Sequence, residues 1–135
     1  MAFPKHRLAV SVAVLNNQNQ ILLVKNWKRG WEFPGGYVDN GESLHSAAIR
    51  EVKEEAGIEI QLSKMCGLIQ DVKNSRCTVL FLGSPFRGEV SGGDDALDAG
   101  YFPIEEALNK VTWKTYKERI IKCLNEDTHP FIIES

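Results

Sequence analysis

The sequence predicts an α/β domain in which a mixed sheet is flanked by helices. Three observations predict it. Leu8, Val10, Val12 and Val14 alternate with Ala9, Ser11 and Ala13, which is the period of a strand. Compact apolar runs of strand length recur at 21–24 and 76–82. Only three stretches, 43–56, 103–109 and 115–124, carry helical periodicity or helix-boundary residues. The 135 residues and 15.2 kDa suit one domain covering 1–135, with a hydrophobic core that needs no disulfide staples.

Each element has its own reason. Asn16-Asn17-Gln18-Asn19 is a turn cluster, so 8–14 and 21–24 read as a β-hairpin. Residues 26–30 form a polar loop. Residues 31–33 are extended, because Pro34 holds Phe33 away from the helical region. Gly35 and Gly36 then let the backbone turn. Ser43 is the N-cap of a helix that runs to Ala56, and Gly57 stops it. Residues 59–72 are extended with a break near Gly67, and 76–82 form a core strand. Residues 84–96 read as a loop with a short strand at Glu89-Val90. Residues 100–102 are extended, Pro103 opens a short helix through Asn109, and 115–124 form a last amphipathic helix.

Composition excludes several classes. With 43% hydrophobic and 25% charged residues, the chain is neither disordered nor collagen-like nor a plain coiled coil. No apolar run approaches the ~20 residues that span a bilayer, so no membrane partner is expected. A net charge of −2 argues against a grip on nucleic-acid backbone. An anionic ligand must therefore be met locally, by a few basic side chains or by metal ions. Cys66, Cys77 and Cys123 fit no zinc pattern and read as small buried residues in a reducing compartment. Residues 1–7 carry charge without a following apolar segment, so a cytoplasmic location is expected.

The chemistry concentrates between Gly36 and Ile58. Each helical residue advances about 100° around the axis. With Leu44 at zero, Ala48, Val52, Ala56 and Ile49 form an apolar stripe from about 40° to 140°. Glu55, Glu51 and Glu54 fall near 20°, 340° and 280°, roughly. They share one arc beside the stripe, while Lys53 points to the far face. Like charges so placed repel. A divalent cation offsets that repulsion, and an oxygen-only ligand set favours Mg²⁺, or Mn²⁺, over zinc.

The spacing itself is specific. Gly36 is followed after five residues by Glu42, then after seven by Arg50-Glu51-Val52, then by Glu54-Glu55 and Gly57-Ile58. This resembles the Nudix box with no position missing, entered through Trp31-Glu32-Phe33-Pro34-Gly35-Gly36 as is usual for that family. The resemblance implies a Nudix-type α/β/α sandwich and a hydrolase that cleaves a nucleoside diphosphate linked to a moiety X. It implies that Gly36, Glu42 and Gly57 are structural, that Arg50 pairs with Glu42, and that the Gly35 carbonyl joins Glu51, Glu54 and Glu55 around the metal. Glu51 and Glu55 are the main metal ligands in this reading. Glu54 is a ligand or positions the attacking water.

The base in such enzymes often comes from outside the box. Asp94, Asp95 and Asp98 occupy a region where family members often carry Glu, and the catalytic set is read as Glu54, Glu51 and Arg50 with Asp95 and Asp98. Lys25, Lys28 and Arg29 are candidates for phosphate contact; Trp27, Trp31 and Tyr37 could stack on a base. His6, His45 and His129 are scattered and suggest no site. The expected ligand is a small nucleotide, bound by a monomer or homodimer. Within the family, housecleaning of nucleoside triphosphates is favoured because few residues precede Leu8, whereas many ADP-ribose members dimerise through an N-terminal extension. The alternatives are an ADP-ribose or nucleotide-sugar pyrophosphatase and, in a different class, a non-catalytic nucleotide sensor on the same fold.

Overall fold

The computed structural model describes residues 2–93 and 96–135. Its strands are β1 (Arg7–Val14), β2 (Gln20–Asn26), β3 (Gly30–Glu32), β4 (Gly35–Tyr37), β5 (Glu59–Asp71), β6 (Arg76–Arg87), β7 (Ala96–Pro103) and β8 (Phe131–Glu134). Its helices are α1 (Leu44–Ala56), α2 (Ile104–Lys110) and α3 (Lys114–Leu124). Five strands form a mixed sheet in the order β4-β1-β6-β5-β8, with β1–β6 and β5–β8 parallel. A smaller antiparallel sheet has the order β3-β2-β7.

The pleat explains why the large sheet is covered on both sides. Successive side chains of a strand face opposite ways. Val10, Val12 and Val14 of β1, with Val79 and Phe81 of β6, pack on Ala47, Ala48, Val52 and Ala56 of α1. Ala13, Leu80 and Leu82 face the other way, onto Ala107, Val111, Ile120 and Cys123 of α2 and α3 and the segment between them. Both faces of β1 are therefore buried, and its alternation is not one of buried with exposed residues.

The same burial corrects the hairpin. β1 and β2 lie in different sheets, and the turn between them carries an isolated bridge, Leu15↔Ile21. The turn between them forms as expected, with Asn16 Oδ1 accepting from the backbone N–H of Gln18 and Gln20. Both flanking strands are apolar on two faces, so each is better satisfied in the middle of its own sheet than against the other. The loop expected over 84–96 is also shorter, since β6 continues to Arg87, and Glu89-Val90 is not a strand. β8 lacked a strong signal because it is a four-residue edge strand. The three cysteines are free thiols, two of them fully buried. Among the described residues, no helix is long and apolar enough to cross a membrane.

Candidate active site

Helix α1 begins where the sequence says it should. Ser43 caps it by accepting from Ser46 N, and Gly57 ends it at φ 76° with its N–H on Lys53 O. The buried stripe, however, is rotated from its expected position. Ile49 is exposed, and Ala47, near 300° by the same count, is buried instead. The buried arc thus runs from Ala47 through Ala48 and Val52 to Ala56. Glu51 and Glu55 lie inside it rather than at its edge. The approach of a single strand explains this: β4 packs against that part of the helix, and its two glycines leave room for the carboxylates.

The contacts are tight. Gly35 N–H donates to Glu55 Oε1 at 2.8 Å. A Cβ on Gly36 would stand 2.6 Å from the Glu51 carboxyl carbon and both of its oxygens. A Cβ on Gly35 would overlap the Val10 carbonyl oxygen in the neighbouring strand β1. The diglycine is therefore a cradle, one residue fitting the sheet and the next fitting the acid.

Arg50 ties the helix to the preceding loop. Its Nε and Nη2 donate to both Glu42 oxygens at 2.7 and 2.8 Å, and Nη2 also reaches the Tyr37 carbonyl. Nη1 donates to Glu51 at 2.9 Å and to Glu54 at 3.1 Å, and Asp39 lies 3.6 Å away. The hydrogen bonds from Arg50 and from Asp39 N–H hold the Glu42 carboxyl down to about 2. Glu51 moves the opposite way: burial raises its pKa, Arg50 offsets part of this, and Glu54 and Asp39 add to the rise. One guanidinium is shared by four carboxylates, so the locale is short of positive charge. An Arg50→Lys substitution is expected to cost about 1–2 kcal/mol in urea denaturation, because a single ammonium cannot span Glu42, Glu51 and Glu54 together.

The donor set suits a hard dication by chemistry: carboxylate oxygens in excess, with no nitrogen or sulfur among them. Among the described residues, no group of three or more His, Cys, Asp or Glu side chains converges as a metal site. Arg50 draws Glu51 and Glu54 toward itself while the Gly35 N–H holds Glu55.

A cleft of about 700 Å³ opens on the other side of the diglycine. Gly35, Gly36 and Tyr37 form one end, Ser11 and Thr78 lie on its sheet side, and Trp113, Tyr116 and Arg119 of the α3 region wall it. Its volume suits a nucleotide-sized ligand. Arg29 lines it, but its guanidinium is held by both oxygens of the buried Glu32 at 2.8 Å. Lys28 also lines it. Lys25 and Trp31 do not. Lys25 sits exposed on β2 opposite Trp31 and Asp98. Trp31 packs edge-on against Phe102, at 5.1 Å and 77°, under Lys110.

Asp98 is exposed on β7 and accepts from Ala99 N; it makes no hydrogen bond or ion pair to α1 among the described residues. Asp94 and Asp95 lie outside the described residues. His45 is exposed and tilts against Phe81. Sequence reasoning missed Arg119, Tyr116, Ser11 and Thr78. Ser11 and Thr78 carried a signal, since each is a hydroxyl within an otherwise apolar strand. Arg119 carried none, because a basic residue on an amphipathic helix ordinarily faces solvent.

The α/β/α arrangement and the acidic helix over a diglycine strand define a phosphoanhydride hydrolase of the Nudix class. The chain belongs to the NUDIX domain family, whose model matches residues 5–123. It is 32% identical to an ADP-ribose pyrophosphatase of Methanocaldococcus jannaschii over 87% of this chain and 76% of that protein. It is 43% identical to a putative 8-oxo-dGTP diphosphatase of Bacillus subtilis over 64% of this chain and 56% of that protein. A NUDIX hydrolase structure from Nitrosomonas europaea superposes with a TM-score of 0.83 at 21% identity, covering 99% of this chain and 82% of that one. The chain is a pyrophosphohydrolase by class, and family members generally use divalent metal ions.

Proposed function

We propose that the protein is a Mg²⁺-dependent hydrolase that splits a nucleoside triphosphate into a nucleoside monophosphate and pyrophosphate. One observation carries this reading: strand β4 has a surplus of carboxylates around Arg50 on its helix side, and its Gly35 and Gly36 also line a nucleotide-sized cleft. Glu51 and Glu55 would hold the ion, and the Gly35 carbonyl and Glu54 would add oxygen ligands. When bound, Mg²⁺ supplies charge neutralisation to the phosphates and acidity to water. Glu54, the most exposed of the three acids, orients the attacking water. The water oxygen bonds to phosphorus, its proton passes to a carboxylate, and the bridging P–O bond breaks. Arg50 keeps Glu51 and Glu54 in place throughout and is a positioning residue.

A second reading has a specific support. The archaeal relative is an ADP-ribose pyrophosphatase, and a solved ADP-ribose pyrophosphatase from Streptococcus suis superposes with a TM-score of 0.75 at 25% identity, over 97% of this chain and 100% of that one. ADP-ribose would be cut in the same way, to AMP and ribose phosphate.

A substrate panel with product identification separates the two. Pyrophosphate release from triphosphates supports the first, and AMP from ADP-ribose the second. Binding of either without turnover would point to a sensor. Millimolar Mg²⁺ is also expected to raise the melting temperature by about 2–4 °C, because an ion bound only by the native state stabilises it. Glu51→Gln should abolish most of that shift.

A further inference from the structure

We infer that Arg119 selects the base of the substrate, and that the floor of the cleft takes a 6-oxopurine through hydrogen bonds from the guanidinium to O6 and N7. The inference rests on the nucleotide reading above. Arg119 lies on α3, one turn after Tyr116, with its guanidinium carbon 4.7 Å from the Tyr116 ring centroid. It lines both the cleft and a small recess of about 20 Å³ that also touches Ser11, Glu32, Phe33 and Tyr116. Arg29 and Arg76, the other arginines of the cleft, are each tied to a carboxylate at 2.8 Å, Glu32 and Asp71. Arg119 forms no ion pair or hydrogen bond among the described residues.

A guanidinium drawn out of water without acceptors is costly. Burial accordingly pulls the Arg119 pKa below its ordinary value. The missing partner is a ligand atom, and its charge can be judged. Four cationic side chains and four carboxylates line the cleft, so no surplus of positive charge draws a phosphate to its floor. A neutral group with two adjacent acceptors fits better. The guanidinium fork pairs with guanine O6 and N7, whereas adenine presents an amino donor in place of O6. Trp113 stacks on Tyr116, at 5.7 Å and 20°, and extends an aromatic wall on which a base can lie. Ser11 and Thr78 also line the cleft and offer hydroxyls as further polar contacts.

The test compares dGTP, dATP, dCTP, dTTP and 7-deaza-dGTP with Mg²⁺, in the parent protein, Arg119→Lys and Arg119→Gln. The parent is expected to favour dGTP over dATP by about tenfold or more in kcat/KM, and to lose a similar factor with 7-deaza-dGTP, which lacks the N7 acceptor. Both variants should bring the dGTP-to-dATP ratio close to one, mainly through KM, with Arg119→Lys keeping the charge but losing the fork. A preference for adenine or a pyrimidine, an unchanged ratio in a folded variant, or full activity on 7-deaza-dGTP overturns the inference. Binding of dGMP and dAMP, followed by Trp fluorescence, separates this from the activity. Selective dGMP binding that Arg119→Lys abolishes, without any turnover, supports the base assignment and sinks only the hydrolase reading. Turnover with no selectivity does the reverse.

Discussion

Glu55→Gln is expected to lower turnover more than about 100-fold while leaving the melting temperature within about 2 °C of the parent. The two halves of that result have separate causes. Glutamine keeps the oxygen that accepts the Gly35 N–H, so the seam between α1 and β4 stays closed. It removes the negative charge, which is what a dication recognises. The side chain lies within the buried arc of the helix, where a neutral amide of the same shape is easier to bury than a charged carboxylate. Steady-state kinetics at saturating Mg²⁺ and a thermal melt provide the two numbers. Activity close to that of the parent would remove Glu55 from the ion's ligands.

Two adjacent glycines should respond to the same substitution in opposite ways. Gly35→Ala sets a Cβ against the Val10 carbonyl oxygen and 2.9 Å from Ser11 Cα, both backbone atoms of β1. Neither can move without breaking the β1–β4 pairing. Overpacking of this kind costs about 3 kcal/mol, or about 10 °C in melting temperature at this chain length. Gly36→Ala meets only the end of the Glu51 side chain. That end can swing aside, so stability should change by less than about 1 kcal/mol. The displaced carboxylate leaves its place, and turnover should fall at least about tenfold. Melting curves and initial rates on the pair test this directly. Full activity in a folded Gly36→Ala protein would show that the position of Glu51 is immaterial.

Legibility followed the range of the interactions. Helix α1 was read to within a residue because its limits are local: Ser43 bonds three residues on, and the left-handed Gly57 bonds four residues back. The Arg50–Glu42 pairing, implied by the resemblance, spans eight residues of one loop and helix, and the structure places the two groups together. The hairpin failed because turn residues and alternation say that two strands are extended, not which partners they choose. Ile49 was assigned to the core and Ala47 was not, since side-chain size is a guide to burial only until another backbone comes close. At α1 the closest neighbour is a pair of glycines, and a small helix residue packs there.

By itself the amino-acid order determined the α/β class, the acidic helix, its caps and the family to which the chain belongs. These depend on spacings of a few residues, where hydrogen bonds and side-chain periodicity are local. The tertiary structure alone decided that Glu51 and Glu55 point into a seam against β4, and that a cleft opens on the other side of the same two glycines. It also decided that Arg119, far along the chain, faces that cleft rather than water. Those facts require segments distant in sequence to share a boundary, and which segments do so is settled by how both faces of the large sheet are buried at once.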